Sequence, residues 1–188
     1  MSAPPTSNSQ PHAGTSSSST IPHPYNPSTQ ITTTFKPLTH PLNPAATFLT
    51  ADLSTRTGLQ HTAIKMNRIP PGADSTECHA HKDTEEWFYI LSGEGEMVLR
   101  AVVDGYGDKG LQEEFGKTGV EEELIPIAPG DFIGFPRAAA RAHMFRNTGT
   151  EELVYILGGE RSANDVVDYP VARKRLLVKE GQREYVDL

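Results

Sequence analysis

From residue 59 to the C-terminus, the sequence is a succession of short apolar runs separated by turn residues. "TAIKMNRI" and "EEWFYIL" are rich in β-branched and aromatic residues, and they end at the turn signals "PPGAD" and "SGEGE". A helical period of 3.6 residues is not sustained anywhere in this region. Runs this short, between turns this regular, are typical of an all-β sandwich or barrel. Only "RKRLLVKE", residues 173–180, leaves a short helix and an edge strand both open.

Residues 1–44 differ in composition from the rest of the chain. They hold nine of the fifteen prolines, the run "TSSSST", one lysine and no acidic residue. Such a segment buries too little apolar surface to offset its ordering entropy, so we predict disorder over about the first 30 residues. Residues 31–50 hold enough apolar side chains to lie against the domain as an extended arm. The predicted organisation is a tail and arm over 1–44, a barrel over 45–170 and a C-terminal extension over 171–188.

Charge and cysteine content exclude several classes of protein. A net charge of −7 argues against a general nucleic-acid binder, which needs basic patches to neutralise phosphates. The single cysteine, Cys78, cannot form an intramolecular disulfide, as expected in a reducing compartment. No apolar run approaches the roughly 20 residues that cross a bilayer, and the N-terminus does not have the pattern of a signal peptide. We therefore expect a soluble cytoplasmic protein whose partner is a small molecule, with neither nucleic acid nor membrane as a partner.

Two histidines and several carboxylates lie close together in "ECHAHKDTEEWFYILSGEGE", residues 77–96. Alternate residues of a strand share a face, so His79 and His81 point the same way while Cys78 points to the opposite face. Two imidazoles from one strand can bind one metal if a second strand brings more ligands. Candidates are the glutamates of the next strand and the histidine in "ARAHMFRN". Imidazole together with carboxylate suits Fe²⁺, Mn²⁺, Ni²⁺, Co²⁺ or Zn²⁺.

The spacing of these residues resembles the first motif of the cupin superfamily. That motif is a glycine, a short spacer, His-x-His, a glutamate three or four residues later, and a second glycine after six more residues. The matching residues are Gly72, His79, His81, Glu86 and Gly93, with an opening spacer one residue longer than usual. The six-residue gap before Gly93 selects Glu86 rather than Glu85. The two-residue period agrees, because Glu86, Phe88 and Ile90 then face inward together.

The second cupin motif is matched further along the chain. Gly130, Pro136, His143 and Asn147 have its spacing. Ala138 stands where the motif has a glycine, and four residues instead of two separate it from His143. The resemblance covers about residues 60–170, and both motifs occur in the right order. The ending "GGERSANDVVDYP" is similar to that of small single-domain, type-2-like cupins of unassigned function.

The resemblance implies a single conical β-barrel, a double-stranded β-helix or jelly roll, that holds a metal through His79, His81, Glu86 and His143. Four protein ligands leave up to two open positions on an octahedral metal, enough for a chelating substrate or for substrate and dioxygen. The predicted function is a metal-dependent enzyme acting on an oxygenated small molecule, an organic acid or a phenol. Its chemistry is either of the dioxygenase type or redox-neutral decarboxylation, isomerisation or hydrolysis. The alternative is a non-catalytic module that binds a small molecule in the same barrel.

Strand parity also indicates which residues surround the metal. Phe88, Ile90, Phe135 and Phe145 are expected to make a mostly apolar pocket, with the metal as its polar anchor. Arg141 shares the parity of His143, so it is either an anchor for an anionic substrate or a solvent-exposed loop residue.

Several neighbours are expected to lie away from the chemistry. Cys78 is predicted to be a buried structural cysteine, and Trp87 and Tyr89 are predicted to pack against another sheet or a partner subunit. Glu77 either orients a ligand imidazole or, as we favour, lies exposed at the rim. By analogy with small cupins that pair barrels through exposed sheet edges, we also expect a homodimer.

Overall fold

The computed structural model describes residues 22–102 and 122–188 of the chain. Helical structure in these ranges is limited to α1 (Ser28–Ile31) and one 3₁₀ turn (Thr55–Thr57). The strands are β1 (Lys36–His40), β2 (Asn43–Asp52), β3 (Thr62–Ile69), β4 (Ala80–His81), β5 (Glu86–Ser92), β6 (Gly95–Ala101), β7 (Glu123–Ile127), β8 (Phe132–Phe135), β9 (Arg141–Arg146), β10 (Leu153–Glu160), β11 (Asp165–Tyr169), β12 (Lys174–Lys179) and β13 (Gln182–Asp187). The all-β prediction is confirmed.

The strands form antiparallel sheets that enclose the core. A six-stranded sheet has the order β1-β2-β3-β10-β5-β8, a four-stranded sheet the order β13-β12-β11-β4, and a three-stranded sheet the order β7-β6-β9. The two smaller sheets meet at an antiparallel bridge between His79 and His143, where each main-chain N–H donates to the carbonyl of the other residue, at 3.1 and 2.8 Å. This junction places two predicted metal ligands side by side.

The two-residue period sorts the strands into an inner and an outer face. In β5, Phe88 and Ile90 are buried, whereas Tyr89 is 42% exposed. The inner residues form the main hydrophobic cluster, which is contributed by β2, β3, β5, β6, β7, β9 and β10. Burial of such aromatic and aliphatic side chains stabilises the fold by about 1.5–3 kcal/mol for each fully buried residue. The side chain of Glu86 therefore starts a row that faces the interior.

A single glycine fixes the connection between β5 and β6. Gly93 has a φ of 81°, in the left-handed region. A Cβ at this position would lie 2.3 Å from the carbonyl oxygen of Glu152 and 2.8 Å from the Cα of Leu153. Any other residue would therefore displace the main chain before β10, so the end of the strand that carries Glu86 depends on this glycine.

The ends of the chain contribute more regular structure than their composition indicates. Residues 31–50, predicted as an extended arm, include β1 and most of β2, and β2 pairs with β3 in the six-stranded sheet. Of the predicted disordered tail, residues 1–21 lie outside the described residues. Residues 171–188, predicted as a C-terminal extension, contain β12 and β13.

Of the two alternatives for residues 173–180, the helix is wrong, and the strand is confirmed but does not lie at a sheet edge. The segment forms β12, which lies between β11 and β13, because both neighbours pair with it along its length. None of the helices described in residues 22–102 and 122–188 is long and apolar enough to cross a membrane.

Candidate metal centre

Four side chains converge where the three sheets meet. His81 lies in β4, His79 two residues before it, Glu86 at the start of β5 and His143 in the middle of β9. The Oε2 atom of Glu86 is 3.1 Å from Nε2 of His143 and 3.8 Å from Nε2 of both His79 and His81. The donor atoms of His79, His81 and Glu86 all lie within 4.8 Å of one another. The structure thus brings together every residue of the predicted ligand set.

These distances fit a transition metal. Donors about 2.1 Å from one ion lie about 3.0 Å apart at adjacent octahedral positions and about 4.2 Å apart at opposite positions. The 3.1 and 3.8 Å separations around Glu86 lie between those limits. Three imidazoles and one carboxylate also match the donor chemistry of Fe²⁺, Mn²⁺, Ni²⁺ or Zn²⁺. The donors of His79, His81 and Glu86 therefore fit one divalent metal ion, and His143 lies beside them with its Nε2 atom 3.1 Å from Glu86.

Hydrogen bonds orient two of the imidazoles. His79 Nδ1–H donates to the main-chain carbonyl of Glu77 at 2.9 Å, and His81 Nδ1–H donates to Oδ2 of Asp165 at 2.6 Å. A carbonyl and an ionised carboxylate only accept, so the proton of each ring is on Nδ1. The Nε2 lone pairs are consequently free to bind a metal, and the rings are held in the orientation that directs them toward Glu86.

Asp165 is itself fixed by a network. Its Oδ1 accepts from the main-chain N–H groups of Asp83 and Val166, and its Oδ2 also accepts from the hydroxyl of Thr84. Burial acts to raise the pKa of Asp165, but the His81 hydrogen bond and these donors outweigh it and lower that pKa. A carboxylate that stays ionised in this position is a strong acceptor for the His81 ring.

The third imidazole is held by packing. Phe135 stacks on the His143 ring with centroids 3.6 Å apart and planes inclined by 7°, and Phe88 meets the ring edge-on at 5.6 Å. The Nδ1 atom of His143 is buried and finds no hydrogen-bond partner among the described residues. The bridge to His79, these two aromatic rings and the hydrogen bond of Nε2 with Glu86 Oε2 at 3.1 Å therefore set the position of His143.

The electrostatics favour the protonation state that metal binding needs at His79 and Glu86, and oppose it at His81. Burial and the adjacent His143 and His81 rings lower the pKa of His79 to about 3, so this ring is neutral at physiological pH. Burial acts to raise the pKa of Glu86, but the hydrogen bond with His143 and the charges of the imidazoles lower it to about 2. The pKa of His81 is raised, because Asp165 and Glu86 outweigh the opposing effect of burial. A bound metal replaces a proton most directly at His81.

Two cavities adjoin the ligand set. One, of about 320 Å³, is lined by His79, Glu86 and His143. The other, of about 490 Å³, is lined by His79 and His81. A larger depression of about 610 Å³ is lined by turn residues such as Gly93. None of the four ligand residues lines it, so it is not part of the candidate metal site.

The predicted pocket residues fall into three groups. Phe88 and Phe145 line the smaller cavity, whereas Phe135 lines neither cavity and stacks on His143 instead. Ile90 is fully buried in the hydrophobic core instead of lining either cavity. Arg141 is half-buried at the start of β9 and lines neither cavity.

Three residues near the ligands in sequence were expected to lie away from the metal. Cys78 is 1% exposed in a small apolar cluster with residues such as Val98 and Ala142, on the opposite face from the histidines. Trp87 lies on the outer face and stacks on Phe132. The expectation that Glu77 is exposed at the rim is wrong, because its side chain is 7% exposed and its main-chain carbonyl holds His79.

Several residues of the site were not predicted from the sequence. Asn67 and Tyr155 are buried and line the smaller cavity, and Tyr169 stacks on His79 at 5.7 Å. Lys65 and Arg183 line both cavities. The only signal that could have found Lys65 and Asn67 is the polar alternation in "TAIKMNRI", read as the inner face of the strand.

Comparisons with known proteins agree with this geometry. The cupin domain model matches residues 66–103, which include three of the four ligand residues. A solved structure from Acidithiobacillus ferrooxidans, of a protein provisionally assigned as a sugar phosphate isomerase, is 36% identical, with a TM-score of 0.72 over 87% of this chain and 91% of that chain. A sugar phosphate isomerase of the cupin superfamily from Silicibacter pomeroyi is 20% identical, with a TM-score of 0.60 over 81% and 85% of the two chains, and this similarity shows the fold alone. No protein of curated function matches the sequence.

Proposed function

Since the chain belongs to the cupin superfamily, we propose that it is a metal-dependent enzyme that isomerises a small hydroxylated carbonyl compound without net oxidation. The observation that carries the proposal is the convergence of His79, His81 and His143 on Glu86, beside a cavity of about 320 Å³ that His79, Glu86 and His143 line. The similarity to the Acidithiobacillus protein over nearly the whole of both chains favours isomerisation over the other redox-neutral reactions considered.

A divalent metal held by these residues would supply Lewis-acid polarisation of a substrate oxygen. Ionised Glu86 and neutral His79 contribute lone pairs at physiological pH, which is the protonation state that metal binding needs. Phe88 and Phe145 cover one wall of the cavity with apolar surface and limit the access of water. A substrate oxygen beside the ligand set would therefore lie in a partly dry environment, where electrostatic interactions are stronger than in water.

Neutral polar groups are available to hold substrate oxygens. Burial raises the pKa of Tyr155, so its phenol stays protonated at physiological pH. Burial also lowers the pKa of His40, whose Nδ1 accepts from the main-chain N–H of Leu42 at 3.2 Å. The ring of His40 is thus neutral with its proton on Nε2, and it lines the same cavity. Both groups can hydrogen-bond to hydroxyl or carbonyl oxygens without adding charge.

The proposal is tested by exchange of substrate hydrogen. Protein loaded separately with Mn²⁺, Fe²⁺, Ni²⁺ or Zn²⁺ is incubated in D₂O with a panel of aldoses, ketoses, their phosphates and hydroxy acids. Proton NMR follows deuterium incorporation next to the carbonyl, and an oxygen electrode runs in parallel. We expect metal-dependent deuterium incorporation and interconversion with no oxygen uptake.

One variant of the ligand set and one control variant test whether the exchange depends on the metal site. Glu86→Gln removes the carboxylate charge from the ligand set and should abolish exchange, whereas His61→Ala removes an exposed histidine outside the set and should leave it unchanged. Oxygen uptake with substrate consumption would show dioxygenase chemistry and would overturn the proposal of isomerisation. Ligand binding without turnover in every metal form would identify a non-catalytic binding module.

A further inference from the structure

Two cations from opposite sheets share the opening of the metal site. Lys65 projects from β3 of the six-stranded sheet, and Arg183 projects from β13 of the four-stranded sheet. Both side chains line both of the cavities beside the ligand set, together with His79. A molecule bound in either cavity would therefore lie beside walls that carry these two charges.

Neither cation is neutralised by the described part of the protein. Most arginines in residues 22–102 and 122–188 are paired with a carboxylate, as in the pairs of Arg68 with Glu152 and Arg146 with Asp74. The side chains of Lys65 and Arg183, by contrast, form no ion pair or hydrogen bond with any described residue, and both residues are exposed. Since no described carboxylate is paired with either charge, both can contact a ligand.

The carboxylates around the larger cavity are already engaged. Asp52 accepts hydrogen bonds from the Ser54 and Thr55 side chains and lies 3.5 Å from an Arg161 nitrogen. Glu160 is paired with Arg137, and Asp165 accepts from His81. These acids cannot turn toward Lys65 or Arg183 without breaking the contacts they make. Among the described residues that line the two cavities, Lys65 and Arg183 are therefore the cations whose side chains have no carboxylate partner, on a protein whose net charge is −7.

A second, independent observation concerns a buried amide in the smaller cavity. Asn67 is 4% exposed, and its Nδ2–H donates to the hydroxyl of Tyr155 at 3.2 Å. Its Oδ1 atom is buried and has no hydrogen-bond partner among the described residues. An unpaired buried acceptor is costly, and it is suited to receive a hydrogen bond from a ligand hydroxyl.

We propose that this cavity binds the substrate as a hydroxylated organic anion, a phosphate ester or a carboxylate. Lys65 and Arg183 hold the anionic group at the opening, and Asn67 Oδ1 accepts a hydrogen bond from a hydroxyl inside. The inference rests on the proposed function in one respect, since the reacting end of this anion is taken to lie at the ligand set. The anion-binding role considered for Arg141 thereby belongs to residues from two other strands.

The test compares three six-carbon probes that differ in charge: glucose 6-phosphate, gluconate and uncharged sorbitol. Inorganic phosphate is a fourth probe, with charge and no carbon chain. Calorimetric titration of the metal-loaded protein should give tighter binding of at least one organic anion than of sorbitol. Comparing the first two probes distinguishes a phosphate from a carboxylate site. Equal affinity for sorbitol and both anions would overturn the proposal.

Charge-removing variants locate the site. The double variant Lys65→Gln/Arg183→Gln should bind the preferred anion about tenfold more weakly, because two charge-assisted contacts are lost. Its metal content should be unchanged, since neither residue is a ligand. The matched control Lys179→Gln removes an exposed cation from β12 outside both cavities and should leave the dissociation constant unchanged. Equal anion affinity of the double variant and the wild type would overturn the proposal.

The role of the buried amide is tested by Asn67→Ala. This variant should weaken binding of the preferred organic anion and leave that of inorganic phosphate unchanged, because only the first carries hydroxyls. Retained phosphate binding also reports that the variant is folded. Equal weakening of both probes would overturn the assignment of Asn67.

The outcomes separate this inference from the proposed function. Anion binding that depends on Lys65 and Arg183 in a protein that takes up no metal would support the anion site and overturn the metal enzyme. A full equivalent of metal, with an anion affinity that does not depend on Lys65 and Arg183, would support the metal enzyme and overturn the anion site.

Discussion

Replacement of Asp165 by asparagine tests how the ligand His81 is held. In the wild type, Oδ2 accepts from His81 Nδ1–H at 2.6 Å and from the Thr84 hydroxyl at 3.0 Å, while Oδ1 accepts from two main-chain N–H groups. Asparagine can keep the Oδ1 contacts. It places an NH₂ group where Oδ2 was, and that group cannot accept the hydrogen bond from His81 Nδ1–H.

Asp165→Asn is expected to weaken metal binding more than it destabilises the fold. Loss of the carboxylate that orients a ligand histidine weakens metal binding by about 10–100-fold, which corresponds to about 1.4–2.8 kcal/mol. The Asp165 side chain is 8% exposed, so water does not readily replace the lost acceptor. The main-chain contacts that remain should preserve the turn before β11.

The assay is a competition between the protein and a chelator of known affinity, at one pH and for each divalent metal. Asp168→Asn is the matched control, because Asp168 is a buried carboxylate of the same strand that pairs with Arg175 instead of a histidine. It should lower the free energy of unfolding and leave the metal dissociation constant of the folded protein unchanged. A dissociation constant for Asp165→Asn within twofold of the wild type, or an equal loss in the control, would refute the assigned role of Asp165.

The remaining predictions concern stability, reactivity and assembly. Burial raises the pKa of the Cys78 thiol to about 12, so at pH 8 the native protein should react with iodoacetamide at least ~100-fold more slowly than the unfolded chain; similar rates by mass spectrometry would contradict its burial. Ala138 has a φ of 56°, so Ala138→Gly should raise the free energy of unfolding in urea by about 0.5–1 kcal/mol, and a decrease would argue against strain at this turn. Gly158→Ala should lower it by about 1–3 kcal/mol, because the added Cβ would lie 2.2 Å from the ring of Trp87; an unchanged midpoint would show that the ring moves freely. The homodimer predicted from the sequence requires the mass of two chains in light scattering at micromolar concentration, and a single-chain mass would contradict it.

Where local patterns carried the information, the sequence predicted the strands and the inward direction of the candidate ligands. Alternation in "EEWFYIL" put Glu86 and Phe88 on the inner face, and the structure has both there. His143 lies more than fifty residues from Glu86, so no local pattern connects them. It was identified through the second cupin motif, which encodes the pairing of β9 with the segment that carries His79.

The rest of the site depends on pairings between distant segments. Asp165 contacts His81 across 84 residues of sequence, and Arg183 reaches the cavity only because β13 follows β12 in the four-stranded sheet. Asn67 was missed for a different reason. A polar residue in an alternating strand usually faces solvent, but the inner face of β3 lines a polar cavity, so here the outer face of the strand carries Ile64 and Met66.

The central claim is that His79, His81, Glu86 and His143 hold one divalent metal ion, and metal analysis of the purified protein tests it most directly. Protein prepared without chelator should contain close to one equivalent of a single divalent transition metal by mass spectrometry, and His81→Ala or Glu86→Ala should lose that metal while the barrel remains folded by circular dichroism. A content below a tenth of an equivalent, with no thermal shift on addition of Fe²⁺, Mn²⁺, Ni²⁺ or Zn²⁺, would contradict the account.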